Sequence, residues 1–508
     1  MQPVAHKAYE QGLALSAQSR HADAIGAYER ALAEKPDDIR VLFALGNTAS
    51  SLGMPRAAEE FFRRVLALEP DRLEALVNLA NVLRAQGQLD AAKRLIEPAL
   101  ERAPDAPDLL LTLGSVHREM GDRVQAKAFY REALNRDANH AAAQGNLADL
   151  LADDGDIAEA MALYDRAVLR EPKNAQLKLN RAILHLLRGE LKDGWRDYAA
   201  RLKIPGKAPI CDHGLKPWNG AHLKRTRLLV TVEQGVGDQI MFASLVPELA
   251  ARAQDDRGAI LLECDPRLVS LFARSFPRVS VHPAQMQSKA GMTTAHYGWL
   301  KQAGGANAAI EMGSLPRTMR NSVKQFPAAH AFLAADPDEA GRWRSAFALA
   351  GPPPYVGICW RSGKVGGLRN LQFAPLAAWA EFIRNAPGTI VSVQYDAMPE
   401  ETDGLSSLSG RDVFVPPALD QKNELDRACA MLSALDHVVS APTAVSWLSS
   451  AAGVPTSKVL HDTSWTSFGQ PYEPFAPACA CLSPKVVGDW SDVFAQATVR
   501  LTARTTIS

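Results

Sequence analysis

The chain of 508 residues is short of three things, and each shortage narrows what it can be. It has no excess of one charge: 56 basic residues against 56 acidic ones give a formal net charge of zero. This removes any global electrostatic case for nucleic acid or an anionic membrane, and leaves only locally basic clefts. It has no long apolar run. The start, MQPVAHKAYEQG, lacks a signal core, and no stretch is apolar for long enough to span a bilayer. It has few cysteines. Cys211, Cys264, Cys359, Cys429, Cys479 and Cys481 are scattered, and the C-A-C of the last two has no second pair at zinc spacing. They read as reduced thiols of a cytosolic protein, mostly in cores. No D-x-D pair stands in a context suited to a metal. What the chain does have is a 47% apolar share, ample for large cores, and a length that suits about three compact units.

The positive signal is a period of 34 residues that stops near residue 205. Pro36, Pro70, Pro104, Ala138 and Pro172 keep this spacing. So do Ala24, Ala58, Ala92, Ala126 and Ala160. A small residue recurs at Gly12, Gly46, Ala80, Gly114, Ala148 and Ala182, and a large one at Tyr28, Phe62, Ile96, Tyr130 and Tyr164. The small residues suit close helix crossings, and the rings are expected to fill the gap to the next repeat. The prolines end every second helix, because proline cannot donate the next helical hydrogen bond. This pattern resembles the tetratricopeptide repeat (TPR), whose helix pairs stack into an α-solenoid with a concave binding surface. Five repeats run from about Ala5 to Lys173. A degenerate sixth follows from Ala175, with Gly194 and Arg201 where alanines are expected, as in a cap against another domain.

The segment NLANVLRAQGQ (78–88) resembles the TPR units of O-GlcNAc transferase. Asn78, Asn146 and Asn180 share one position of the first helix of a repeat, and Asn47 and Asn81 share a second. In that family such a ladder grips the backbone of substrate peptides. An amide carries both a donor and an acceptor, so it can hold a peptide bond without reading sequence. The resemblance therefore implies that these five asparagines bind a protein acceptor. The ladder is incomplete, with Glu10, Ala44 and Thr112 at equivalent positions, and a solvated polar face is the plain alternative.

After residue 205 the chain reads as α/β. RLLVTV (227–232) is a short β-branched run suited to a buried parallel strand. A turn with Gly235 and Gly237 follows, where missing side chains permit unusual backbone and close approach. A helix over 239–251 comes next. This puts Asp238 at the helix start, at the carboxyl edge of the sheet, where α/β proteins bind ligands. Alone, an acid there also serves to stabilise the helix end. Further strands are expected at 260–265 and 279–283.

Taken together, G-W-x-x-Y-x-x-R (194–201), P-W-x-G (217–220) and E-Q-G-x-G-D-x-I-x-F (233–242) resemble bacterial proteins that fuse TPRs to a glycosyltransferase domain. That domain is similar to the family 9 heptosyltransferases, and some members of the fused group glycosylate flagellin. M-x-S-L-P (312–316) also matches. The resemblance implies a GT-B fold of two Rossmann-like lobes, no cofactor, no metal, and Asp238 as general base.

The second lobe opens at a proline run, 351–354, with a strand at 355–360. A glycine-rich loop follows, in which Arg361, Lys364 and Arg369 are candidates to hold donor phosphates. A helix (375–385) and a strand (389–396) come next, with Gln394 at the strand's mouth, near the nucleotide. A strand at 436–440 then meets Pro442 and Thr443, which open a helix. There Thr443, Ala444 and Ser446 are expected to offer N–H groups and hydroxyls to a phosphate. Relatives hold Asp and His where this chain has Pro442 and Trp447, so the heptose role does not transfer. A last helix, 486–504, is expected to cross back to the first lobe.

The resulting expectation is a cytosolic protein O-glycosyltransferase, with a TPR array (1–204), an acceptor-side lobe (205–349) and a nucleotide-sugar lobe (350–508). Its donor would be UDP-, GDP-, ADP- or CMP-linked, with a CMP-nonulosonate and a flagellin acceptor among what the resemblance implies. An inverting outcome is likewise implied by the resemblance. The rivals are a TPR scaffold with an inactive transferase-like domain, and a transferase for lipid-linked saccharides or small molecules.

Overall fold

The structure is a computed structural model that describes residues 2–18, 20–233, 235–289, 292–328, 331–363 and 372–505. The chain forms two compact units, Met1–Leu177 and Lys178–Ser508. No helix among the described residues is long and apolar enough to cross a membrane.

The first unit is a run of antiparallel helix pairs. Gln2–Ala17 pairs with His21–Glu34, Ile39–Ser51 with Pro55–Leu68, and Leu73–Ala85 with Leu89–Arg102. Pro107–Glu119 with Arg123–Arg136 and Ala141–Asp153 with Ile157–Arg170 complete it. Pro36, Pro70, Pro104 and Pro172 each lie two residues beyond the end of a second helix. The rings belong to clusters that also hold residues of the next repeat, Tyr28 with Val41 and Leu45 and Phe62 with Leu76 and Leu79. Each ring also lies on the small residue of its own repeat. A Cβ on Gly46 or Gly114 would come 2.6 or 2.7 Å from a ring carbon of Phe62 or Tyr130, and one on Gly12 would come nearer still to Tyr28. The turn inside each pair carries a further periodic residue. Gly53, Gly87, Gly121 and Gly155, again 34 apart, have φ between 69° and 87°, and nothing crowds them. This left-handed region strains any residue with a Cβ, so glycine is required by backbone conformation.

The contact divide at Leu177 falls inside the helix Ala175–Leu187, earlier than the end of the repeat period. The reason is the packing of the last pair. Helix Leu191–Tyr198 and the 3₁₀ turn Ala199–Lys203 bury Trp195 and Arg201 in the second unit. Trp195 meets Phe468 and Phe475 edge to face, at centroid distances of 5.7 and 6.3 Å.

The strands of the second unit are β1 (Ile210–Cys211), β2 (Lys216–Pro217), β3 (Arg227–Thr231), β4 (Ala259–Cys264), β5 (Ser280–Pro283), β6 (Met286–Lys289) and β7 (Met292–Ala295). They continue as β8 (Ala308–Glu311), β9 (Tyr355–Cys359), β10 (Thr389–Ser392), β11 (Val413–Phe414), β12 (His437–Ser440), β13 (Thr456–Val459) and β14 (Cys479–Leu482). One sheet has the order β2-β8-β3-β4-β5 and the other β11-β10-β9-β12-β13-β14. Every pairing in both is parallel. A small third sheet has the order β1-β7-β6. The second sheet builds outward from β9 to β11, then reverses to place β12 on the other side of β9. The first reverses likewise between β3 and β8. Such reversals leave a crevice at the strands' carboxyl ends.

Three boundaries differ from the sequence expectation. The helix expected over 239–251 is two helices, Val236–Ala243 and Val246–Asp255. Pro247 has no N–H to donate, so it begins a helix and cannot continue one. The chain reaches the second lobe at Phe332 and Leu333, whose N–H groups bond Ala451. Helix Pro337–Ala350 then packs with that lobe, Phe347 lying against Tyr355 and Phe414. The last helix, Trp490–Thr505, packs into the second lobe's own core instead of crossing to the first, with the Phe494 ring 4.8 Å from that of Trp379.

Candidate functional site

β3 and β12 each run straight into a helix, and the two helix starts face each other. β3 leads through Glu233 and Gly235 to Val236–Ala243, and β12 leads through Pro442 and Thr443 to Ala444–Ala451. At Gly237 an added Cβ would lie 3.4 Å from Trp447 and 3.5 Å from Ala444. Between the lobes opens a cleft of about 530 Å³. Gly235, Gly237, Asp238 and Arg267 line it from the first lobe, and Ser362, Tyr395, Lys422, Thr443, Ala444 and Trp447 from the second.

Asp238 is exposed to the cleft on one side and surrounded by protein on the others. This partial loss of water, with the Glu233 charge nearby, pushes its carboxyl up to about 6, while Arg201 pulls the other way. A carboxylate of that kind accepts a proton more readily than an ordinary aspartate. Gly235 has φ −96° and ψ 141°, an ordinary extended conformation. Its missing side chain matters for space: a Cβ would come 2.7 Å from Asp238 Oδ2. Behind Asp238, Gln239 ties two strand ends together, donating to the Glu233 carbonyl (2.8 Å) and accepting from Asp265 N–H (2.8 Å).

The second-lobe candidates fare unequally. Thr443 and Ala444 line the cleft. The Thr443 hydroxyl, however, faces inward, where it accepts from Val445 N–H (3.3 Å) and pairs with Ser440 (3.3 Å). Ser446 does not reach the cleft. It is fully buried and donates to the Thr443 carbonyl at 2.8 Å. Hence the groups this turn can offer an anion are backbone N–H groups, not the two hydroxyls. Arg361 does not line the cleft either. Its Nε and Nη2 both reach Glu401 at 2.5 Å, and Nη2 also donates to the Asp396 carbonyl. Gln394 is a brace, 3% exposed. It accepts from the N–H groups of Trp360 and Arg361 (2.9 and 3.0 Å) and donates to the carbonyls of Arg361 and Tyr395. Its amide has nothing left for a nucleotide. Lys364 and Arg369 lie outside the described residues.

Sequence reasoning overlooked three other cations in and behind the cleft wall. Arg267 forks onto Asp265 (2.8 Å) and donates to the Lys422 carbonyl, joining the lobes. Lys422 bonds Asp396 at 2.9 Å. Trp447 has the Lys458 ammonium 3.9 Å from its ring centre, and Lys458 in turn pairs with buried Glu473 at 2.7 Å. Distance along the chain hides all three, since the partners that place Lys458, Lys422 and Arg267 lie 15, 26 and 155 residues away.

In the first unit the asparagines lie on the first helices of their pairs. Asn78 donates to Asn47 at 2.8 Å across adjacent repeats. Asn81 accepts from Arg84 (2.7 Å), which also reaches Glu119 in the next repeat (2.5 Å). Asn146 donates to Ser115 at 3.4 Å. Asn180 lies on Ala175–Leu187, in the second unit, half-buried and engaged with neighbours. The ladder thus links repeat to repeat along one face, where Arg84 and Arg118 are matched by Glu119 and Asp149.

Comparison with known proteins bears on both units. Tetratricopeptide-repeat models match residues 9–72, 71–139 and 117–184. Protein FlbA of Caulobacter vibrioides is 30% identical over 325 residues, which cover 62% of this chain and 53% of that protein. The chain therefore spans about half the length of that curated relative. Among solved structures, a thermophilic TPR protein of Thermus thermophilus is 27% identical, covering 36% of this chain and 99% of its own, with a TM-score of 0.33. Pseudomonas aeruginosa pilF is 21% identical, covering 40% and 90%, with a TM-score of 0.32. The match to FlbA is longer than the first unit, so it extends into the second. The chain begins with a tetratricopeptide-repeat α-solenoid and continues as an α/β unit of parallel sheets, and its sequence kinship to FlbA reaches beyond the repeats into that second unit.

Proposed function

We propose that the second unit is a GT-B glycosyltransferase, which moves a sugar from a nucleotide-activated donor to a Ser or Thr hydroxyl of a protein held by the repeats. One observation carries this reading. Asp238, with its carboxyl raised to about 6, stands on the wall of a cleft whose opposite wall offers the helix start at Thr443 and Ala444. In this reading Asp238 takes the proton of the acceptor hydroxyl, and the freed oxygen bonds to the anomeric carbon. The bond from that carbon to the phosphate breaks. The departing phosphate gathers charge at the N–H groups of the Thr443 turn, helped by the dipole of Ala444–Ala451. Flagellin as acceptor, a CMP-nonulosonate as donor and an inverting course follow from the family resemblance. A cytosolic location belongs to the same reading.

A second reading is a scaffold with an inactive transferase-like domain. The Arg361–Glu401 pair favours it, since it withdraws a cation from the cleft. Pro442 and Trp447 at the relatives' Asp and His positions point the same way. Two measurements separate them. Thermal shift with UDP, GDP, ADP and CMP tests for donor binding, and mass spectrometry of co-purifying proteins tests for added glycan. On the transferase reading, Asp238→Asn lowers transfer by about 10²-fold or more and leaves nucleotide affinity nearly intact. Transfer at the full rate by this variant would remove Asp238 from the chemistry.

A further inference from the structure

Arg201 breaks the repeat pattern where an alanine is expected, and the structure gives it a partner. Its Nη2 donates to Glu233 Oε1 at 2.5 Å, and the two side chains are 6% and 7% exposed. The same Glu233 oxygen accepts from Gly313 N–H at 2.9 Å, and Arg201 also reaches Ser314 Oγ at 3.2 Å. Thus the end of the last repeat, the end of β3 and the turn after β8 meet at one carboxylate. A second contact runs beside it. Tyr198 lies under the Arg201 guanidinium (4.7 Å) and against Phe242, which sits one turn beyond Asp238 on the same helix. Phe242 in turn meets Phe475 of the second lobe at 5.6 Å. The helix that bears Asp238 is therefore held near both its ends by the last repeat.

We propose that Arg201 and Glu233 are a positioning pair for Asp238: the ion pair, brought by the last repeat and shared with Gly313 N–H, fixes the end of β3 that leads into the Asp238 turn and keeps the Glu233 charge beside that turn. A buried carboxylate without such a partner would be neutralised or would disrupt its surroundings. The other charges around the site are accounted for. Ala444–Ala451, packed against the Asp238 helix, carries no charged residue. Glu311 faces Arg201. Arg267, Lys422 and Asp396 line the cleft, and each is paired. The proposal takes the role of Asp238 from the reading above, but its test needs no turnover.

Asp238 binds its proton more tightly in the folded chain than in the unfolded one. The stability this gives is full below the unfolded value near 4 and is lost as pH rises through about 6. Asp238→Asn has no such titration. Its advantage in melting temperature over the parent therefore grows with pH and levels off above about 6. The difference is measured in the full chain from about pH 4 to about pH 8, by comparing each of three backgrounds with and without Asp238→Asn. The backgrounds are the unaltered chain, Glu233→Gln, and Glu233→Gln with Arg201→Met. In Glu233→Gln the levelling point should fall by about one pH unit, because the repelling charge is gone and the cation remains. Adding Arg201→Met should bring it part of the way back. If Glu233→Gln alone does not fold, the double variant decides, since it leaves no lone buried charge: a levelling point below that of the unaltered chain supports the proposal. A pair that only braces the fold lowers every melting temperature alike and leaves the levelling point at its original pH, which would overturn the proposal. Loss of transfer in Asp238→Asn is a separate result, so the base can fail while the pair stands, or the reverse.

Discussion

The two glycines before Asp238 differ in what they do. A Cβ at Gly235 would come 2.7 Å from the Asp238 carboxylate, the movable end of a side chain, so the fold can absorb it and the carboxylate cannot stay put. A Cβ at Gly237 would make ordinary contacts at 3.4 and 3.5 Å. Gly235→Ala should therefore melt close to the unaltered protein yet lose sugar transfer by at least about tenfold, since small misplacements of a reacting group are costly. Gly237→Ala should keep both. Melting curves beside a transfer assay check the pair. A second expectation concerns pH. A base must be ionised, and Asp238 is raised to about 6, so transfer should fall as pH drops through about 6 and hold steady above it. A rate profile that falls only below about pH 4, as for an ordinary aspartate, would count against Asp238 as base. The sequence showed Asp238 and its turn, because strand, glycines and helix start are local. It did not show that Gln394 and Arg361 are consumed within their own lobe. Those bonds join residues 34 and 40 apart, and a polar residue at a strand mouth looks the same whether it meets a ligand or a carbonyl.

At the scale of the helix pair, the repeat was almost wholly legible, since each packing position recurs from pair to pair. What the period did not show is that the rings also close on the glycine of their own pair. Helical glycines accordingly divide into two kinds. Gly46 is filled by Phe62, and overpacking there should cost about 1–3 kcal/mol in Gly46→Ala. Gly26, in helix His21–Glu34, has only an arginine tip within reach at 3.9 Å. Gly26→Ala should stabilise by up to about 1 kcal/mol, through helix propensity. Denaturant titration of the two variants gives opposite signs if ring and glycine fit as described. Among the parallel strands, β3, β4, β5, β9, β10 and β12 were legible from their short apolar runs, whereas β8, β13 and β14 were not, because runs such as Ala308–Glu311 and Thr456–Val459 carry polar or charged residues inside the sheet. Nor was helix Pro337–Ala350, because the sequence of an amphipathic helix does not say which of two lobes covers its apolar side.

At the scale of the molecule, the boundary that matters lies before the last repeat. Trp195 and Arg201 belong by packing to the second unit, although by sequence they continue the first. A fragment of residues 174–508 should be soluble and melt cooperatively. One of residues 205–508 leaves Glu233 buried without its cation and uncovers Phe468 and Phe475, and it should melt far lower or aggregate. Breaking a buried pair from one side costs about 3–5 kcal/mol. Expression of both with calorimetry is the check, and equal stability would mean that the last pair is only a cap. The period carried on to residue 204 and so concealed this. Arg201 looked like decay of a repeat because its partner lies 32 residues away in another fold.

The turn glycines at 53, 87, 121 and 155 have a consequence for how such a chain can change length. The pairs before residue 174 are variants of one part, each closed by the same kind of turn and packed on the same pattern of small and large residues. A tandem duplication or loss of 34 residues there would rejoin like to like and alter only the reach of the array. The sixth pair is a different kind of part, because its tryptophan and arginine answer to residues of the α/β unit. The array can thus change in whole steps among these pairs, while the α/β unit keeps the same sixth pair against it.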